Sequence, residues 1–271
     1  MSGAFQSRQS GPVILLGCGR LGSAILEGWL ATGTVDAKDL LILTPSEKPA
    51  AETARAKGAR VNPDLAVLAE ARTLVLAVKP AVWREALTPL LSHLHPDLVV
   101  VSVMAGVTAA GIEALSERQV ARVMPTTAVA QGRGVAALWS NAPEARERAR
   151  GLFASVADVV DLEAEGLMDA ATAVAGSAPA FIYAFTQALA RQGEARGLTA
   201  EAALRLASGA LRSAGAGADT GAALDDLIGR IASPGGTTRA GLEAMAEDGG
   251  LDRAAEAAVK AAMDRAAQLN G

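Results

Sequence analysis

Two glycine-rich turns hold the residue types best suited to chemistry. The first is Gly17-Cys18-Gly19-Arg20-Leu21-Gly22, which fits the pattern G-x-G-x-x-G. It follows a short apolar run at residues 12–16 and precedes Ala24, Ile25, Gly28 and Trp29, which recur at helical spacing. The glycines therefore stand where a strand turns into a helix, the setting in which this pattern binds a dinucleotide. Gly17 permits the tight turn, Gly19 lets a pyrophosphate approach the backbone, and Gly22 lets helix and strand pack closely. The free N–H groups and positive dipole of the helix start favour the phosphates. The second turn is Ser233-Pro234-Gly235-Gly236-Thr237-Thr238, between two predicted helices. Its proline and glycines break one helix, and Thr237 and Thr238 open the next. Backbone N–H groups and hydroxyls then converge at a positive helix end, a receptor for carboxylate or phosphate that needs no charged side chain.

Other reactive residues are few. Cys18, the one cysteine, lies inside the glycine turn and reads as a small filler rather than a nucleophile. It excludes an intrachain disulfide and leaves a reducing compartment open. The two histidines, His93 and His95, stand at a predicted helix end and read as solvated, so no metal site is expected. Lys and Arg total 25 against 29 Asp and Glu, a formal charge of −4 with no long basic run. Nucleic acid is therefore not an expected partner. Residues 1–10 read as a flexible polar leader rather than a signal peptide. No stretch reads as long and apolar enough to span a membrane. A soluble, cytoplasmic protein is expected.

The two turns need scaffolds, and the hydrophobic pattern predicts two. Strand-like apolar runs fall at 12–16, 40–43, 59–61, 73–78, 98–103 and 120–124. Helical spacing falls between them, at 49–57, 64–71, 82–94 and 109–115. Runs at 134–138 and 156–160 flank a charged helix at 143–153 and should extend the sheet at its edge. This is an α/β, Rossmann-type N-terminal domain with a mostly parallel sheet, residues 1–162. Ligands of such sheets sit beyond the carboxyl ends of the strands. The glycine turn, Ala77-Val78-Lys79-Pro80, the 102–106 loop with Ala105 and Gly106, and the 124–127 loop with Pro125 should then line one crevice.

From residue 163 to 271 no strand recurs. Helices are expected at 166–175, 180–196, 199–214, 224–231, 237–246 and 251–269. They form an all-helical C-terminal domain. With aromatics at 3% of the chain, its large side chains gather in Pro179–Gly193, a candidate subunit interface.

The end of the second strand decides the nucleotide. An acidic residue there would hold the ribose hydroxyls of NAD; this chain has Thr44, Ser46 and Lys48. Hydroxyls and a cation suit the 2′-phosphate of NADP, although Glu47 intervenes. NADPH is the expected cofactor, with NADH the alternative.

GCGRLG at 17–22, VKP at 78–80, GSAP at 176–179 and SPGGTT at 233–238, in this order, resemble pyrroline-5-carboxylate reductases over nearly the whole chain. SPGGTT is the most specific of the four. The resemblance implies NAD(P)H-dependent reduction of 1-pyrroline-5-carboxylate to L-proline, the last step of proline biosynthesis. It also implies C-terminal helices that join a homodimer or a ring of dimers. By position it puts Lys79 beside the cofactor, and Ser233, Gly235, Gly236, Thr237 and Thr238 beside the substrate. Thr238 is the expected catalytic contact, hydrogen-bonded to the ring nitrogen. Two loops depart from the family pattern. Thr126 and Ala128 stand in M-P-N-T-P, and Ala178 and Phe181 stand in G-S-G-P-A-Y. Three alternatives compete: reduction of another cyclic imine, hydroxyacid dehydrogenation and non-catalytic nucleotide binding. The second usually needs a lysine or histidine to take an alcohol proton, and residues 81–259 contain no lysine.

Overall fold

The computed structural model describes residues 11–268. The expected leader and the predicted helix end at Leu269 lie outside the described residues. Strand β1, Val13–Leu16, is buried at all four positions. Such unbroken burial requires cover on both faces of the sheet, which explains a run of Val, Ile and Leu with no alternation. The partners are β2 (Leu40–Leu43), β3 (Arg60–Val61), β4 (Thr73–Leu76), β5 (Val99–Ser102), β6 (Val120–Pro125), β7 (Gly134–Trp139) and β8 (Ala157–Asp161). They form one sheet in the order β3-β2-β1-β4-β5-β6-β7-β8, parallel except for the β6–β7 pair. Leu16 aligns with Leu43 on one side and Leu76 on the other. Strands β1, β2 and β4 thus end level, and the order reverses at β1, which creates a crevice there.

Helices cover both faces. Helices α1 (Arg20–Thr32), α2 (Pro49–Ala56) and α5 (Pro143–Phe153) contribute to one core, and α3 (Trp83–Leu87) and α4 (Ala109–Ser116) to the other. Trp29 and Phe153 meet edge to face, 6.5 Å between centroids, and Trp29 Nε1 donates to the Leu152 carbonyl at 2.8 Å.

Four expectations are corrected. The segment at 82–94 is not one helix: Pro80–Val82 and Thr88–His93 are 3₁₀ turns around α3. Pro89 has no N–H for a continuing α-helix, and the tighter turn tolerates it. The segment at 64–71 is likewise a 3₁₀ helix, Leu65–Glu70. The helices expected at 166–175 and 180–196 are joined. Helix α6 (Met168–Ala171) passes through a π-helical stretch, Thr172–Ser177, into α7 (Ala178–Glu194). Pro179 is the second residue of α7, directly after the π-helical stretch. Joined, Glu165–Glu194 is long and apolar enough to cross a membrane by length and composition. The expectation that no stretch would be is therefore wrong.

The chain divides into two compact units. One runs to Gly176 and takes in the residues from Ala262; the other is Ser177–Ala261. In the second unit α7 packs on α8 (Ala200–Ala218) through Ala190, Ala203 and Ala207. Helices α9 (Leu224–Ile231) and α10 (Thr237–Ala246) follow, and α11 (Gly250–Gln268) closes the chain.

Helix α1 also packs closely at Gly28. A Cβ there would lie 2.3 Å from the Val129 carbonyl oxygen. Gly28→Ala gains helix propensity of under about 1 kcal/mol. It is expected to lose more, roughly 1–3 kcal/mol net, to overpacking. A lower urea midpoint by circular dichroism would fit; an unchanged or higher one would contradict the close approach.

Candidate active site

Each glycine of the first turn has its own reason. Gly17 has φ +101°, and a Cβ on it would meet the Ala77 carbonyl oxygen at 2.7 Å. A Cβ on Gly22 would meet the Gly17 carbonyl oxygen at 2.2 Å, so only glycine lets α1 approach β1. A Cβ on Gly19 would meet nothing within 4 Å, which leaves that side of the backbone open to a ligand. The Gly17 N–H donates to the Leu43 carbonyl, and the Ala77 N–H to the Leu16 carbonyl. The ends of β1, β2 and β4 are thereby held together. Arg20, at the first position of α1, is exposed, Leu21 is half-buried, and the helix start has no side-chain cap.

Beyond β2, Asn62 clamps Thr44. The Asn62 side chain accepts from the Thr44 N–H and donates to the Thr44 carbonyl, both at 2.9 Å. Asn62 adopts φ 48°, a conformation asparagine tolerates better than most residues. The sequence did not single out this clamp; an asparagine just past a short strand was its only trace. The Thr44 hydroxyl donates to the Ser46 carbonyl at 3.1 Å, so its proton is used within the turn. Ser46 is exposed, and Lys48 caps α2 half-buried. Burial raises the Cys18 thiol pKa, against the opposing influence of the Ser23 hydroxyl and then the Lys48 charge. Cys18 is a neutral packing group, as its place in the turn suggested.

The ends of β4, β5 and β6 continue the crevice wall. Lys79 is exposed and precedes the Pro80 turn, while Ala77 and Val78 are half-buried. The Val103 N–H donates to the Leu76 carbonyl at 3.1 Å, so the Met104-Ala105-Gly106 loop leaves beside β4. Pro125 ends β6 opposite Ala136. Thr126, which replaces the family's asparagine, is buried, and its hydroxyl accepts from the Val135 N–H at 3.3 Å. An ion pair between buried Arg122 and half-buried Glu165 adjoins this wall and was not anticipated.

The second turn is built inside the other unit. Gly235 adopts φ +70°, and the Gly236 N–H donates to the Ser233 carbonyl at 3.0 Å. A Cβ on Gly236 would sit 2.7 Å from the Ser233 hydroxyl. Arg239 Nη2 donates to the Ala232 carbonyl at 3.2 Å and ties the ends of the turn. Helix α10 begins at Thr237 with no side-chain cap, and Ser233, Thr237 and Thr238 are exposed. The first amides of such a helix have no partner within it. No cluster among the described residues could hold a metal ion, and His95 Nδ1 accepts from the Asp97 N–H.

A glycine turn at the switch point of a parallel sheet, followed by an all-helical unit, defines the class of Rossmann-type oxidoreductases. The comparisons agree. The family model described as NADP oxidoreductase coenzyme F420-dependent matches residues 12–106, and that described as pyrroline-5-carboxylate reductase dimerisation matches 165–269. A curated pyrroline-5-carboxylate reductase from Thermus thermophilus is 35% identical over 265 residues, covering 94% of this chain and 97% of its own. The solved structure of a pyrroline-5-carboxylate reductase from Coxiella burnetii is 26% identical, with TM-score 0.84 over 97% of this chain and 100% of its own. That of Plasmodium falciparum pyrroline carboxylate reductase with NADP bound has the same fold, with TM-score 0.79 at 23% identity over 98% and 100%. The chain belongs to the pyrroline-5-carboxylate reductase family.

The state of Cys18 is checked directly. Because its folded pKa lies above the ordinary value of 9.0, the thiol contributes stability below about pH 9 that is lost as pH rises through the folded value. Iodoacetamide at pH 8 is expected to alkylate it far more slowly in the folded chain than in urea. Equal rates would show that the turn is open.

Proposed function

We propose that this protein reduces 1-pyrroline-5-carboxylate to L-proline with NADPH, the last step of proline biosynthesis. The observation that carries the reading is the pairing of two anion receptors of different kinds in one family member. One is the glycine turn at the carboxyl ends of the strands; the other is the uncapped start of α10 in the Ser233–Thr238 turn.

The residues fit the cofactor. Gly17 and Gly22 occupy positions a Cβ would fill, and the space around Gly19 is free. In this account Gly17–Gly22 hold the pyrophosphate. Ser46 and Lys48 take the 2′-phosphate, and Thr44 shapes their turn. Ala77–Pro80, Ala105, Gly106 and Pro125 border the nicotinamide side. The reduced nicotinamide supplies the hydride that adds to the imine carbon, while a proton ends on the ring nitrogen. With that hydride and proton, the imine would become the secondary amine of proline. The Ser233–Thr237 amides hold the substrate carboxylate, and the Thr238 hydroxyl meets the ring nitrogen. An imine nitrogen is basic enough to carry its own proton in part, so the chain need only orient it. The Ser233–Thr238 turn accordingly holds no lysine or histidine.

The dimerisation match at 165–269 supports a homodimer or a ring of dimers through the C-terminal helices. Helix α7 carries a face that a partner would cover: Ile182 is 50% exposed and Tyr183 64%. The glycine and alanine of the GSAP loop lie half-buried to exposed at the start of that helix. We place the enzyme in the cytoplasm, where its single thiol stays reduced.

Two outcomes are expected. The purified chain oxidises NADPH, and NADH more weakly, only when pyrroline-5-carboxylate is added, and proline accumulates. Thr238→Ala lowers kcat/KM by about tenfold or more, the worth of one hydrogen bond of about 1.4 kcal/mol. Absence of oxidation with either nucleotide, from folded protein, would overturn the function; an unaffected variant would remove Thr238 from the site. In light scattering the protein elutes at a multiple of its 27.4 kDa chain mass, and Ile182→Glu shifts it toward one chain. A single-chain mass for the unsubstituted protein would exclude the dimer.

A further inference from the structure

Arg122 is the one charged residue in β1, β2, β4, β5 and β6. It is 4% exposed. Burying a guanidinium costs several kcal/mol, and well-packed apolar residues commonly replace buried ion pairs without loss of stability. Stability alone therefore does not account for it. Its bonds lead toward the crevice. Nη1 donates to Glu165 Oε1 at 3.1 Å, and Nη2 reaches the Met104 carbonyl at 3.5 Å. The same Glu165 oxygen accepts the N–H of Ala109 at 2.6 Å, the first residue of α4. One carboxylate oxygen thus joins β6 to the start of α4, and one guanidinium joins both to the loop after β5. Arg122 Nε is buried and has no partner. An orphaned buried donor carries an energetic cost that calls for an explanation.

The tethered backbone is the Met104-Ala105-Gly106 loop. Met104 is 3% exposed, and its N–H reaches the Ser102 hydroxyl at 3.4 Å. Ala105 packs against Met124, Ala137 and Met168 beside the pair. Gly106 turns the chain at φ +76° toward α4. This loop leaves the sheet next to β4, the strand that contacts Gly17. Without the pair, the loop keeps only the Ser102 hydrogen bond and its apolar packing.

We infer that Arg122 and Glu165 are positioning residues that set the Met104–Gly106 loop as the nicotinamide-side wall of the dinucleotide site. Neither touches the nucleotide; both act through the Met104 carbonyl and the Ala109 amide. The inference rests on the proposed cofactor site and goes beyond it by assigning that wall its support.

Glu165→Gln and Arg122→Lys test this, each compared with the unsubstituted protein. Glu165→Gln keeps an oxygen for Ala109 but drops the charge. Arg122→Lys keeps the charge but cannot span Glu165 and Met104 together. The dissociation constant for NADPH is measured by calorimetry without substrate, beside KM for each reactant and the apo melting temperature. The expected result is weaker NADPH binding by about tenfold, the worth of one charge-assisted hydrogen bond. KM for NADPH rises in step, and KM for pyrroline-5-carboxylate changes little. A purely structural role would lower the melting temperature and the active fraction but leave the NADPH constant in place. Both variants folded, with NADPH constants within about twofold of the parent, would overturn the inference. If one variant fails to fold, the other decides. If the parent itself binds no NADPH, the cofactor site falls first, and the pair's role falls with it.

Discussion

The structure depends on how closely the chain can approach itself at the end of β1. Gly17 sits against the Ala77 carbonyl, and Gly22 sits against Gly17. No side chain fits at either contact. Because they are possible, α1 starts directly above the crevice between β1 and β4, with its amides uncapped. The level register of β1 with β2 and β4 brings the Thr44 turn and the Ala77–Pro80 segment to the same edge. A dinucleotide site therefore follows from packing geometry before any polar side chain is considered.

The Ser233–Thr238 turn, the proposed substrate receptor, uses the same solution in an all-helical setting. Glycines at 235 and 236 shape a turn that leaves the first amides of α10 open, and Arg239 fastens it from below. Both receptors use backbone dipoles more than charged side chains. This suits a reaction in which both partners are anionic and the imine can carry its own proton. The Ser233–Thr238 turn itself holds no lysine or histidine.

Much of this was legible in the sequence because it rests on local rules. The glycine turn, the apolar strand runs and the helix starts at Pro143 and Thr237 each need only neighbouring residues. What was missed depends on distant or joint features. Asn62 clamps Thr44 across 18 positions, and Glu165 meets Arg122 across 43. Neither spacing has a local signature. The sequence reads the run through Gly176 as two helices because glycine and proline usually interrupt one; a π-helical stretch takes in Gly176, and Pro179 follows it within α7. Joining the two pieces also produced the length and apolarity that had been thought absent. The break at Pro89 was the opposite error: helical periodicity outlasted the backbone's ability to continue the helix.

We propose that the two glycine-rich turns hold the two reactants of a single hydride transfer. A crystal structure of the assembled protein with NADP⁺ and L-proline tests it most directly. The account predicts the pyrophosphate on the amides of Gly17–Gly22, the 2′-phosphate against Ser46 and Lys48, and the proline carboxylate on the Ser233–Thr238 turn with its nitrogen at the Thr238 hydroxyl. A proline carboxylate bound away from that turn, or a dinucleotide that leaves the glycine turn empty, would contradict it.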